Sequence, residues 1–240
     1  MLPPKLSLII PCYNAAEIAS VHLPELKAHL SVQDFSFDIL LVDDGSKDGQ
    51  ILAELAEQFD CRLIKHSKNT GKGAAVKSGM AKATGDFMIF TDCDIPFGYS
   101  SITDAYLALA EGAFQIVLAE RKSGNYRMSG STVRNLGSRV FALGVRLILF
   151  RSLGDTQCGL KGFSHQAAAQ VFPKSKLKGF SADAEWLFLA SKQKIKIGTV
   201  PVMLHHSGKS SVSMIRHSLP MLLDLVRVQW WNLTGFYRSK

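Results

Sequence analysis

Five short apolar runs alternate with helix-like stretches through the first half of this chain. The runs are Lys5–Ile10, Asp38–Val42, Arg62–His66, Asp86–Phe90 and Phe114–Ala119; the stretches between them lie near 15–30, 48–59, 72–83 and 101–111. Runs that are apolar throughout are buried on both faces. A strand–helix repeat of such runs builds an α/β fold, a mostly parallel twisted sheet flanked by helices. Such sheets take their ligands beyond the carboxyl ends of the strands. The residues just after each run therefore carry the information about function.

From residue 129 the pattern changes. Leu136, Val140, Leu143, Leu147 and Phe150 form a helical stripe, 181–192 reads as helix, 195–203 as strand and His205–Ser213 as a polar loop. A last helix spans 214–235 with Ile215, Leu219, Leu222, Val226, Trp230 and Leu233 on one stripe; Pro220 fits near its start or at a kink. No linker interrupts the chain, so 1–240 is read as one domain. No run of 18 uncharged apolar residues predicts a transmembrane helix, and the N-terminus turns polar too soon for a signal peptide.

Charge divides the chain. Residues 1–120 hold 9 Lys/Arg and 16 Asp/Glu; residues 121–240 hold 19 and 4, within a net charge of +8. The strongly basic second half creates a field that attracts phosphates, nucleic acid or anionic lipid, unless its lysines and arginines serve only for solubility. A nucleic-acid partner is not expected, because acids at strand ends repel it. Cys12, Cys61, Cys93 and Cys158 lie far apart, without a C-x-x-C pair, and read as reduced thiols of a cytoplasmic protein.

The first run leads into Pro11-Cys12-Tyr13-Asn14, where an aromatic can stack on a ring and Asn14 can cap the next helix; a plain turn would read the same. Asp43-Asp44-Gly45-Ser46 follows the second. Adjacent carboxylates need donors, which a base N–H and ribose hydroxyls supply, although an Asp-Gly turn with a Ser cap also explains them. Asn69-Thr70-Gly71-Lys72-Gly73 opens a helix with amides and an ammonium suited to phosphate, without Walker spacing. Thr91-Asp92-Cys93-Asp94 offers two carboxylates to a divalent cation, Mg²⁺ or Mn²⁺, bridging a diphosphate. After the fifth run stands Arg121; Arg134 and Ser138 share a helix face, where they can grip phosphate or simply be solvated. Asp155, one of four acids in the second half, belongs to a structural pair or to a reaction centre.

Taken together, PCYN, VDDGS, NTGKGAAVKSGM and TGDFMIFTDCD resemble the family 2 inverting glycosyltransferases of GT-A fold. AERKSG, RNLGSRVFALGVRLILF, DTQCGLKGF, SADAEWLF and SGKSSVS resemble the polyprenyl- or dolichyl-phosphate glucosyltransferase and mannosyltransferase branches, and the likeness covers about residues 5 to 230. It implies a nucleoside site at Pro11, Tyr13, Asn14, Asp43 and Asp44, and Lys72 near the donor. Asp92 and Asp94 would hold the metal and diphosphate. Arg121, Arg134 and Ser138 would bind the acceptor phosphate, with Asp155 near the reacting centre. His205, Ser207, Gly208, Lys209 and Ser210 would form a mobile loop over the donor. Where the mannosyltransferase branch places a further metal ligand, this chain has Pro96. Many relatives carry membrane anchors.

The reaction implied is inverting transfer of a hexose from a nucleoside diphosphate sugar, UDP-glucose ahead of GDP-mannose, to a polyprenyl phosphate. An ionised phosphate needs no strong base, so positioning and charge stabilisation carry the catalysis. A hydroxyl acceptor is the rival, with Asp183 or Glu185 as base. Arg216, Arg227 and Arg238 recur every 11 residues beside Trp230 and Trp231. This suits peripheral contact with the cytoplasmic face of an anionic membrane, while the same helix could equally pack on its own domain or on a second copy, as a homodimer.

Overall fold

The computed structural model describes residues 5–121, 158–204 and 214–237. Their elements run β1 (Leu6–Cys12), α1 (Ala16–Ser31), β2 (Phe37–Asp43), α2 (Gly49–Gln58), β3 (Arg62–Lys65), α3 (Lys72–Lys82), β4 (Phe87–Phe90), α4 (Ser100–Ala110), β5 (Ile116–Arg121), β6 (Lys161–Ser164), α5 (His165–Val171), a 3₁₀ turn (Phe172–Lys174), α6 (Ala182–Lys192), β7 (Ile197–Val202) and α7 (Met214–Leu233). The stripe expected over 136–150 and the loop 205–213 lie outside the described residues.

The seven strands form one sheet in the order β3-β2-β1-β4-β6-β5-β7. β1 pairs in parallel with β2 and β4, and β5 with β7. β6 alone runs the other way, pairing Phe87 with Ser164 and Phe90 with Lys161 on one side, and Ile116 with Phe163 on the other. Sequence pattern missed β6 because four residues interrupted by a lysine and a glycine carry no period. The sheet is therefore mixed, with one strand reversed, and its order turns back between β1 and β4, where the site lies.

Alternation along each strand sends side chains to two cores. Ile9, Leu40, Val42, Met88, Phe90 and Leu118 pack under α3, α5, α6 and α7; Leu8, Ile10, Ile39, Leu41, Ile89 and Val117 pack under α1, α2 and α4. Each such buried aliphatic or aromatic side chain contributes roughly 1.5–3 kcal/mol. Trp186 of α6 is fully buried and meets Phe90 edge-on at 5.5 Å. It fixes α6 directly beneath the end of β4.

In α7 the packing face is Met221, Leu225 and Val228, while Leu223, Val226, Trp230 and Leu233 face solvent. The stripe anticipated from sequence is thus the outer one in part. Trp231 turns inward against Phe236 and Tyr237, so the two adjacent tryptophans serve opposite faces. No described helix is long and apolar enough to cross a membrane.

Candidate functional site

The carboxyl ends of β1, β2 and β4, with the start of α3, converge because parallel strands end on the same edge. Tyr13 is half-exposed and available for stacking, and Pro11 sits in register with Val42. Asn14 adopts a left-handed φ of 49° and laces the first two turns together. Its N–H donates to Ser46 Oγ at 2.9 Å, and its Oδ1 accepts from Lys47 N at 2.8 Å. Asn14 does not cap α1; the Ala16 N–H donates instead to Asp48 Oδ2 from the neighbouring turn at 2.9 Å.

The two acids of the second turn have different surroundings. Asp43 Oδ1 accepts from Ser46 N at 2.8 Å. Asp44 accepts from Thr70 N (2.9 Å), Thr70 Oγ1 (2.7 Å) and Gly71 N (2.7 Å), and His66 Nδ1 lies 2.7 Å away. Burial pushes this carboxyl up, but the Thr70 hydroxyl, His66 and the two amides outweigh it and hold it below the ordinary range. Asp44 thereby clamps the turn that precedes Lys72. Gly71 in that turn has φ 102°, and a Cβ on it would approach Lys178 O to 2.5 Å. Only glycine lets the loop cross so close to the segment before α6.

Lys72 opens α3 and forms an ion pair with Asp92 Oδ1. The other oxygen of Asp92 faces Gly159, where a Cβ would lie 2.1 Å from Oδ2. Burial alone would lower the Lys72 ammonium, but Asp92, Asp183 and Asp94 outweigh it and keep it charged. Asp94 is half-buried, and its carboxyl is pushed up by that burial and then by Asp92. Ile95, just beyond, is held at φ 39°, a left-handed conformation that costs a β-branched residue about 1–3 kcal/mol. Strain of this kind re-aims the chain after Asp94, before Pro96.

Two half-buried acids pressed together with oxygen-only donors suit a hard divalent cation. Among the described residues no group of three or more His, Cys, Asp and Glu converges on a metal position. Asp92 and Asp94 could thus supply part of a coordination shell, to be completed by diphosphate oxygens and water.

Beneath this edge lies a residue that sequence reasoning missed. Lys161 of β6 is fully buried; its Nζ donates to Cys158 O at 2.6 Å and to Asp183 Oδ2 at 3.0 Å, and sits 5.5 Å from the Phe90 ring centroid. A lone lysine inside Cys158–Phe163 was the available signal. Glu185 is different: its oxygens accept from Ser175 Oγ, Lys176 N, Leu177 N and Tyr237 OH. That is a structural carboxylate holding α7 and the loop before α6. Cys12 Sγ lies 3.7 Å from Cys93 Sγ, and all four cysteines are free. Arg121 ends β5 on the surface. Arg134, Ser138, Asp155 and Lys209, with His205, Ser207, Gly208 and Ser210, lie outside the described residues.

The fold is that of the GT-A glycosyltransferases. The sequence profile of Glycosyl transferase family 2 matches residues 7–172, and the chain belongs to that family. Within it the chain falls in the dolichyl-phosphate glucosyltransferase branch. It is 30% identical over 256 residues to the dolichyl-phosphate beta-glucosyltransferase of Saccharomyces cerevisiae, covering 98% of this chain and 77% of that one. The Dictyostelium discoideum enzyme of the same name is 28% identical over 253 residues, with the same coverage. Among solved structures, glucosyl-3-phosphoglycerate synthase from Mycobacterium tuberculosis with Mn²⁺, UDP and glucosyl-3-phosphoglycerate superposes with a TM-score of 0.66 at 17% identity, covering 92% of this chain and 80% of that one. Mannosyl-3-phosphoglycerate synthase from Rubrobacter xylanophilus gives 0.68 at 17% identity, covering 99% and 76%. These two establish likeness of fold.

Proposed function

We propose that this glycosyltransferase moves glucose from UDP-glucose to a polyprenyl phosphate, with inversion at the anomeric carbon. The observation that carries the reading is the single edge on which Tyr13, Asp43, Lys72, Asp92 and Asp94 meet. The dolichyl-phosphate beta-glucosyltransferase names of the relatives supply the acceptor class and the sugar. Tyr13 and Asp43 receive the nucleoside. Asp92 and Asp94 hold a divalent cation, Mn²⁺ or Mg²⁺, which when bound neutralises the diphosphate leaving group. Lys72 lies against the same group. Arg121, with Arg134 and Ser138, receives the lipid phosphate, and Asp155 and Lys209 complete the site on the acceptor and donor sides.

An acceptor phosphate attacks without a strong base. The rival reading, a hydroxyl acceptor, needs one; Glu185 is occupied by four donors and Asp183 by Lys161, which weighs against both. A lipid acceptor also fits a peripheral protein at the cytoplasmic face of a membrane, with Trp230 and Arg227 on the exposed side of α7.

Radiolabelled UDP-glucose and GDP-mannose, each with dolichyl phosphate or soluble sugars and Mn²⁺, test the reading. Label entering the lipid phase from UDP-glucose, and lost in Asp92→Ala, supports it. Transfer to a soluble hydroxyl, or full activity in Asp92→Ala, overturns it.

A further inference from the structure

Both oxygens of Asp92 have close neighbours. Oδ1 is paired with the Lys72 ammonium, and Oδ2 lies against the Gly159 backbone. Gly159 leaves little room to turn the carboxylate toward it. Of these two neighbours only Lys72 can withdraw: it is carried on an unbranched four-carbon stem, while its Cα is fixed in the first turn of α3 by the Asp44 clamp on Thr70 and Gly71. The pair is also reachable from outside, since the Lys72 and Asp92 side chains are 21% and 34% exposed.

Charge explains why a lysine stands there. Asp92 and Asp94 flank one cysteine, and Asp183 acts on the same ammonium. Lys161 answers Asp183 from below, at 3.0 Å. Without Lys72, Asp92 loses the ammonium it pairs with, while Asp94, which also feels His22, still faces the Asp92 charge.

We propose that Lys72 is a placeholder cation. It occupies Asp92 while the donor is absent and yields the carboxylate when the divalent cation arrives with the diphosphate. Its ammonium then turns onto the diphosphate oxygens, a swing of one side chain with no movement of α3. The inference rests on the reading of Asp92 and Asp94 as the cation site. Its consequence is an ordered entry: the metal ion alone competes with Lys72, whereas the metal–nucleotide pair offers Lys72 a new partner.

The two roles have opposite signs, which makes the idea testable without turnover. Free Mn²⁺ is followed by its electron paramagnetic resonance signal, with and without UDP, in the wild type, Lys72→Met, Lys72→Arg and Asp92→Asn. Removing an adjacent positive charge strengthens cation binding, so Lys72→Met binds Mn²⁺ alone about tenfold more tightly. The same variant binds UDP in the presence of Mn²⁺ several-fold more weakly. Lys72→Arg, which keeps the charge, follows the wild type for Mn²⁺ alone. A residue that merely supports the fold would weaken both. Thermal melts establish that each variant is folded, and Lys72→Gln replaces Lys72→Met should the latter not fold. Unchanged or weaker binding of Mn²⁺ alone in the folded neutral variant, with Asp92→Asn still losing the ion, overturns the placeholder and leaves the cation site standing. Undiminished Mn²⁺–UDP binding in Asp92→Asn overturns the cation site, and the placeholder with it.

Discussion

Lys161 Nζ lies 3.0 Å from Asp183 Oδ2, and the ammonium is wholly enclosed between β6, the Phe90 ring and the carbonyl of Cys158. An ion pair so placed stabilises little in net terms, because desolvation offsets attraction, yet losing one partner leaves a buried charge alone.

Lys161→Met is therefore expected to lower the unfolding free energy by roughly 3–5 kcal/mol, read by urea denaturation. Adding Asp183→Leu should recover much of that loss. A single variant as stable as the wild type would contradict the burial described.

Asp44→Asn loses charge-assisted bonds from Thr70, Gly71 and His66 and should cost about 1.5–3 kcal/mol at pH 7. The folded carboxyl titrates below its unfolded value. Its contribution is present above about pH 4 and fades as pH falls through the folded value. The gap between wild type and variant should hold above about pH 4 and narrow as pH falls further below it. A gap that stays constant as pH falls well below about 4 would count against the clamp.

Gly159→Ala places a methyl 2.1 Å from Asp92 Oδ2, far inside contact distance. The carboxylate is the movable partner, so the fold should survive with about 1–3 kcal/mol lost, while Mn²⁺–UDP affinity falls at least about tenfold. Calorimetric titration checks the affinity, and wild-type binding in the folded variant would show that Asp92 is not confined.

Tyr237→Phe removes the hydroxyl that donates to Glu185 Oε1 at 2.6 Å. Burial and then Glu185 push that phenol up, so it stays protonated throughout the working pH range. The loss should be about 1.5–3 kcal/mol, that of a hydrogen bond to a charged acceptor, with faster hydrogen exchange confined to α7. Equal protection in both proteins would refute the anchor.

Much of this was legible in the sequence. β1 to β5 and α1 to α4 follow from apolar runs of strand length separated by helix-length stretches, and parallel ends put Tyr13, Asp43 and Asp92 on one edge. β6 was not legible, because its pairing with Phe87–Phe90 and Ile116–Leu118 joins segments more than 40 residues apart. The sequence left the direction of the α7 stripe open; Trp230 stands exposed and Trp231 packs against Phe236 and Tyr237, since a helix buried on one side and stacked at its end has no single stripe.

Residue order alone determined the layers, the carboxyl edge and the kinds of groups on it, because burial period and strand direction are local properties of the chain. Which acid faces which cation was settled only in three dimensions. Asp44 closes on Thr70 and Gly71, Lys72 on Asp92, and Lys161 on Asp183. Charge compensation depends on distance in space, and loops whose glycines allow close backbone approach set those distances.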